Sequence, residues 1–466
     1  MTWFREGGDA LPWYTALPWW MSAFAASVPP PDGYIPYAPS PKYGRDLLEG
    51  LDNALRATPV ICTQPEPWVL VKGAFPASAT VHFVTDVEHA TVAARSDAWK
   101  KAIEDGELAP VSAVFGIGGG SALDHAKFTS RALAVPLVLC PSILSVDAGY
   151  TVAAGVREIT QTDAGPSKLS VVYVGDTRPA ELLVDFALLQ AAPAILNRSG
   201  IGDLLSCATA LWDWEEARTR LGERFDDAIA TRTRALLDRL LQPSSAAEVR
   251  EVSEEGLRLL SELYVEEVTL CEMWGNARPE EGSEHYVAYA LEALTGKHYL
   301  HGQLITLCVI LVAAHQKQEE LVTRVVDFAC RAGIDCSFGA LGTNRDELFH
   351  VLTTMGDFVA SEPQLLPGVF HFGGNVPANE ANALLDMAES AFVTSSAPNC
   401  EACPPCGDAD SSWWDCARCR SRRPSRKPGA AAFQFARLEP PLAAEARKSE
   451  AEAEESPNKK VKGSPA

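Results

Sequence analysis

The sequence predicts an α/β half built on a parallel sheet, then an all-helical half, then a disordered tail rich in cysteine and charge. Three observations carry this prediction. Short apolar runs alternate with helical patterns as far as residue 187. One of those runs, Val111 to Phe115, opens into Gly116-Ile117-Gly118-Gly119-Gly120-Ser121 with a helical pattern behind it. From Leu188 to Met387 long helical periodicities take over. Strands that alternate with helices pair in parallel, and the helices cover both faces of the sheet. The expected divisions are an N-terminal extension over 1–42, the α/β domain over 43–187, the helical domain over 188–395 and the tail over 396–466.

The elements follow in order. Leu47, Leu48, Leu51 and Leu55 recur at helical spacing and predict a helix over Tyr43 to Ala57. Pro59 to Gln64 is a short apolar strand, and Pro65 to Phe75 a helix with Pro65 near its start. Val81 to Val87, Val111 to Phe115 and Val135 to Cys140 are further strands, separated by helices over Glu88 to Glu104 and Ser121 to Ala132. Lys168 to Tyr173 and Leu182 to Asp185 are apolar runs expected to close the edge of the first domain. The helical half reads as Ser199–Arg218, Arg224–Leu241, Ala246–Met273, Glu284–Leu294, His301–His315, Glu319–Ala332, Asp346–Met355 and Ala378–Ser395.

Composition sets the outer limits. A chain of 466 residues, 47% of them hydrophobic, has material for two domains and tails. A formal net charge of −21 excludes a nucleic-acid-binding body, because phosphate contacts need clustered Lys and Arg. A small phosphorylated substrate needs only a local basic cluster and stays admissible. Cys62, Cys140, Cys207, Cys271, Cys308, Cys330 and Cys336 stand singly in apolar segments and read as reduced core residues. The apolar stretch Ala10 to Val28 is interrupted by Pro12 and Pro18 and is short for a bilayer. It reads either as a signal segment ending in Ala23-Phe24-Ala25-Ala26 or as an extension whose Trp13, Trp19 and Trp20 pack on the protein's own surface. A cytoplasmic protein without a membrane span is the expectation.

The glycine run has a chemistry of its own. Glycines admit a ligand close to the backbone, and the helix behind them offers unpaired N–H groups and a positive dipole end. Such a turn suits a pyrophosphate and marks the α/β domain as nucleotide-binding. Its spacing departs from G-x-G-x-x-G, and a tight structural turn is the alternative. In the helical half, Asp203, His285 and His301 are of metal-ligand type. One carboxylate and two imidazoles leave a coordination position open, as a catalytic zinc or similar divalent site requires. Each histidine taken singly also fits a structural role.

Five motifs in order are similar to those of the iron-containing alcohol dehydrogenase superfamily. They are the glycine turn, Ser145-Val146-Asp147, Gly200-Ile201-Gly202-Asp203, Ser283-Glu284-His285 and Leu300-His301-Gly302. Gly202-Asp203-Leu204-Leu205, Asp213-Trp214 and Gly282-Ser283-Glu284-His285 look most like the glycerol-1-phosphate dehydrogenase branch, and the resemblance runs from about Tyr43 to Ser395. It implies that Asp203, His285 and His301 bind one divalent metal (Zn, Fe or Ni). It also implies that Gly118, Gly119, Gly120 and Ser121 contact NAD or NADP, and that Asp147 faces the substrate or relays its proton. Ser142 and Ser145, in the same strand-end loop, are further cofactor candidates. The implied substrate is a small polyol or polyol phosphate, glycerol-1-phosphate and dihydroxyacetone phosphate foremost, and the superfamily implies a homo-oligomer.

Several positions depart from that pattern. Relatives usually carry His where this chain has Val146, and Lys where it has Ser206-Cys207. Candidate phosphate partners are Arg157, Lys168, Lys297 and His298, each of which also fits a solvated surface charge. Gln64 stands at the strand end where many NAD-preferring relatives carry Asp; without a carboxylate there, NADP meets no repulsion. Asp124 and Lys127 read as an i,i+3 surface pair or as support for the turn, and His125 as non-catalytic. The rival readings are a dehydroquinate-synthase-like lyase that regenerates its NAD, and a non-catalytic scaffold. Aspartate rather than glutamate at 203 favours the dehydrogenase over the lyase. In the tail, Cys400, Cys403 and Cys406, then Cys416 and Cys419, have zinc-ribbon-like spacing. The basic runs Arg418 to Arg423 and Lys459 to Lys462 suit either nucleic acid, a nuclear address or plain solvation.

Overall fold

A computed structural model describes residues 35–160 and 168–393. The N-terminal tryptophans, the cysteine tail and its basic runs lie outside the described residues, as does the Lys168 side chain. The described residues fall within one compact unit, with the sheet half and the helical half packed together. Among them, no helix is long and apolar enough to cross a membrane.

Six parallel strands form the sheet: β1 (Lys42–Gly44), β2 (Val60–Thr63), β3 (Thr80–Phe83), β4 (Val114–Gly118), β5 (Leu137–Pro141) and β8 (Glu181–Asp185). Their spatial order is β1-β8-β5-β4-β2-β3. The period-2 alternation of strands divides their side chains between two cores. Ile61, Phe115, Ile117, Val138, Cys140 and Leu183 face Leu48, Leu51 and the Pro65–Val71 helix. Val60, Cys62, Val114, Leu137, Leu139, Leu182 and Val184 face the Gly120–Leu133 helix, and that core runs on without a break into the helical half. A separate antiparallel hairpin, β6 (Ala154–Thr160) with β7 (Lys168–Val174), stands beside the sheet.

Four expectations need correction. Tyr43 to Ala57 is not a helix: β1 forms the sheet's edge and the rest is a series of turns. Asp46 takes φ 55° there, and Asp52 Oδ1 accepts the Ala54 N–H at 2.8 Å. The leucine spacing reflects burial against the sheet rather than a helical backbone. Second, Glu181–Asp185 lies inside the sheet between β1 and β5 rather than at an edge of the domain, while Lys168–Val174 pairs with β6 in the hairpin beside the sheet. Third, the strand runs further than its apolar residues, to Gly118, so Gly116 and Gly118 are strand rather than turn. Fourth, Ala246 to Met273 is two helices, Pro243–Glu251 and Glu254–Trp274. Val252 turns the chain at φ 52°, and Ser253 caps the second helix through the Gly256 N–H. The break is two residues long, and the apolar period continues across it.

One helix contact positions the site. Gly202 and Gly302 meet so closely that a Cβ on Gly202 would stand 2.1 Å from Gly302 O. A Cβ on Gly302 would stand 2.1 Å from Ser199 O. Only hydrogen at both positions lets the Ile201–Leu221 and His301–His315 helices touch by backbone. Gly302→Ala must push them apart. We expect it to cost about 1–3 kcal/mol in chemical denaturation or more, and to weaken divalent-metal binding in the same protein. A variant as stable and as metal-competent as the parent would show that the close approach is not needed.

Candidate metal and dinucleotide site

The glycine turn is where the sheet delivers the chain to solvent. Gly118 is buried, Gly119 and Gly120 are half-buried, and Ser121 is exposed. Gly119 is the N-cap of the Gly120–Leu133 helix and has no side chain with which to cap it. The first-turn N–H groups are thus left to an outside acceptor, beyond the carboxyl ends of the strands. A Cβ at Gly118 would fall 2.0 Å from Gln64 Oε1, so Gln64 lies directly against the turn. Ser142 N donates to Gly118 O at 2.9 Å, and a Cβ on Gly120 would meet Val146 at 3.0 Å. Gly118, Gly119, Gly120, Ser121, Gln64 and Ser142 therefore share one strand-end surface. Ser145 lies further in, buried, with its carbonyl against Gly302.

Asp124 and Lys127 are not a surface pair. The Lys127 side chain is fully buried, with Nζ 3.1 Å from Asp124 Oδ1, 3.0 Å from Thr151 Oγ1 and 2.7 Å from Ala153 O. The pair ties the helix behind the turn to the segment leading into β6. His125 is buried against Cys62 and Thr129, away from the turn's open side.

Asp203, His285 and His301 converge. One ligand atom from each lies within 4.8 Å of the others. Asp203 is in the first turn of Ile201–Leu221, His285 in the first turn of Ser283–Thr295, and His301 opens His301–His315. His301 Nε2 stands 3.4 Å from Asp203 Oδ1. Two donors each about 2.1 Å from one ion at the tetrahedral angle are about 3.4 Å apart. Asp203 Oδ1 is buried without a hydrogen-bond partner, while its Oδ2 accepts the Asp147 N–H at 3.2 Å. An orphaned carboxylate oxygen beside two imidazoles is a donor set that fits a divalent ion.

Glu284 and Asp213 stand in motifs read from the sequence, but their part in holding these ligands shows only in the hydrogen bonds. Glu284, fully buried, accepts from His285 Nδ1 at 2.9 Å, which directs Nε2 toward the ion position. Glu284 is itself fixed by Gly282 N and by Thr209 Oγ1, both at 2.6 Å. Asp213 receives the N–H and hydroxyl of Ser283, the Val369 N–H and the Gln316 amide. It pins the start of the helix that carries His285.

Charge is crowded here. Burial draws the His301 ring down to about 3, leaving it neutral. At His285 burial acts downward, but the Glu284 hydrogen bond and the Glu281 carboxylate outweigh it and push the ring up to about 9. Burial, and then the Asp203 carboxylate, push Asp147 up to about 7. Asp203 itself rises to about 6 through burial, against the pull of His285. Arg157, on β6, has a buried Nε with no partner, and its charge bears on Asp124, His298 and His301. Lys297 is engaged elsewhere, on Glu347 at 2.9 Å and Gly342 O at 3.1 Å.

No protein-family model matches the chain. It is 30% identical over 203 residues to a glycerol-1-phosphate dehydrogenase [NAD(P)+] of Sulfurisphaera tokodaii, covering 44% of this chain and 55% of that one. It is 29% identical over 256 residues to the like-named protein of Hyperthermus butylicus, covering 54% and 69%. The chain thus spans about half the length of the first of these relatives. Among solved structures, it is similar to an iron-containing alcohol dehydrogenase from Corynebacterium glutamicum, at TM-score 0.52 and 16% identity, over 76% of this chain and 96% of that one. A sulfoacetaldehyde reductase from Bifidobacterium kashiwanohense, in complex with NAD+, matches at TM-score 0.52 and 15% identity over 77% and 99%. The chain has the fold of the iron-containing alcohol dehydrogenases, and its curated homologues are glycerol-1-phosphate dehydrogenases, in keeping with the resemblance seen in the motifs.

An ion accepted by His285 Nε2 displaces a proton. Zn2+ affinity should therefore rise with pH from about 6 to about 9, with proton release read by calorimetry in buffers of different ionisation enthalpy. Glu284→Gln should weaken that affinity by about 10–100-fold with the fold retained. A flat pH profile, or full affinity in the variant, would contradict the assigned ligand geometry.

Proposed function

We propose that the chain is a metal-dependent oxidoreductase that moves hydride between NAD(P) and a small polyol or polyol phosphate. Glycerol-1-phosphate and dihydroxyacetone phosphate are the pair we favour. The observation that carries this is the meeting of Asp203, His285 and His301 within 4.8 Å, at helix starts next to the glycine turn's strand-end loop. The three residues would hold a divalent ion, which when bound supplies positive charge to an alcohol or ketone oxygen. Gly118, Gly119, Gly120 and Ser121 would hold the pyrophosphate of the dinucleotide, with Gln64, Ser142 and Ser145 as further contacts.

The remaining chemistry belongs to the chain's own groups. A bound NAD(P) would supply the hydride acceptor for oxidation and the donor for reduction, and Asp147 would take up the hydroxyl proton in one direction and return it in the other. Asp147 suits that exchange because burial and Asp203 hold its carboxyl at about 7, close to working pH. Gln64 presents no carboxylate to the ribose, so NADP is accepted alongside NAD. Arg157 offers an unsatisfied guanidinium N–H and a charge that bears on His301, which supports a substrate with a phosphate arm.

A substrate panel followed at 340 nm tests this reading. Dihydroxyacetone phosphate should drive sustained oxidation of NAD(P)H, and His285→Ala should abolish both metal retention and turnover. Arg157→Ala should raise KM for the phosphorylated ketone about 10–100-fold, the worth of a charged hydrogen bond, and leave the unphosphorylated one unchanged. If metal-loaded protein gives no net nicotinamide change with any polyol–ketone pair, the reading fails. A reaction that consumes substrate without net change points to a lyase instead.

A further inference from the structure

The hairpin beside the sheet has two unlike faces. Ala154, Val156, Val172 and Val174 turn one way, into a small core with Val92 and Phe128. Gly155 and Arg157, with Tyr173 and Val171 as their cross-strand partners, turn the other way. Gly155 leaves room for the Tyr173 ring beside it: a Cβ there would stand 3.5 Å from Tyr173 Cε1 and 3.4 Å from Asp124 Oδ2. Lys127 Nζ, on the helix behind the glycine turn, holds the start of the hairpin through Ala153 O at 2.7 Å. On the far side, Tyr173 Oη stands 3.4 Å from Tyr289 Oη, and Tyr289 donates to Glu281 Oε1 at 3.0 Å. A phenol has one hydrogen to give. Tyr289 gives it to Glu281, so Tyr173 is the donor to Tyr289. Tyr289 follows His285 by one helical turn, and their rings are 5.9 Å apart. The hairpin is therefore tied at one end to the cofactor side and at the other to the helix that carries a metal ligand.

We propose that Tyr173 and Tyr289 are positioning residues: they clasp this face of the hairpin to the His285 helix and so set the span between Arg157 and the Asp203–His285–His301 triad. Arg157 shares the face of Gly155 and Tyr173, two residues along the same strand, and its buried Nε has no partner. A substrate with an oxygen for the ion at one end and a phosphate for Arg157 at the other is then selected by its length. A chain of the wrong length engages one end and leaves the other unpaired. The substrate class rests on the proposed function, whereas the clasp rests on the hydrogen bonds alone.

The test is calorimetric binding of dihydroxyacetone phosphate to the Zn2+-loaded full chain, without nicotinamide. Tyr173→Phe and Tyr289→Phe should each weaken it about 3–10-fold, the worth of a neutral hydrogen bond. Zinc content and the binding of unphosphorylated dihydroxyacetone should not change, and the retained zinc shows that the variants have folded. On an Arg157→Ala background, Tyr173→Phe should cost nothing further, because the tyrosine acts through the arginine. Unchanged affinity in both variants, an equal loss for both ketones, or full additivity with Arg157→Ala overturns the proposal. So does a parent protein that does not bind the phosphorylated ketone, and turnover of unphosphorylated ketones by that protein would keep the oxidoreductase reading. Binding with the expected losses but no hydride transfer leaves the clasp standing and sinks the oxidoreductase reading.

Discussion

Everything in the site depends on two helices approaching until their backbones touch. Gly202 and Gly302 leave no room for a methyl group between them. Asp203 follows one glycine and His301 precedes the other, so the contact places a carboxylate and an imidazole side by side. Their 3.4 Å separation is thus set by backbone packing and not by the reach of flexible side chains. Close-packed interiors hold such a distance firmly, because neither helix can shift without opening a void. His285 reaches the same point from a third helix start, pinned by Asp213 through Ser283. Glu284 holds the far side of the His285 ring, while Asp203 Oδ1 is buried with no hydrogen-bond partner.

The sequence made much of this legible, for reasons that differ by residue. The parallel sheet and most helices follow from apolar periodicity, a local signal that tertiary packing reinforces. His301–His315 and Glu319–Ala332 have the bounds that the sequence predicts, and Gly333, at φ 74°, ends the second. The stretch after Tyr43 shows the limit. Its leucines are spaced for a helix but held in turns, because Asp185 takes the Leu47 N–H and Asp46 takes a left-handed conformation. A period reports which residues are buried, not which backbone buries them.

Asp203, His285 and His301 were legible as ligand types and from motif order. Glu284, Asp213 and Thr209 work through hydrogen bonds across 70 or more residues for the Asp213–Ser283 and Thr209–Glu284 contacts. No spacing rule reaches that far. The buried state of Lys127 was equally hidden, since an i,i+3 pair with Asp124 is usually a solvated one. It is the turn into β6, through Thr151 and Ala153, that closes over it.

Charge ties the two halves of the cleft into one problem. On the sheet side, the glycine turn presents uncapped N–H groups and Gln64, neutral at the strand end, so an anion is welcome there. On the helical side, carboxylates outnumber the cations that could answer them, and each raises its neighbours' hold on protons. Here Cys207 is a buried thiol in the field of Glu267 and Glu280, and it offers no charge. The balance must come from what the site binds. On the proposed function, a divalent ion held by Asp203, His285 and His301 would lower the negative charge that a phosphorylated substrate meets at that wall.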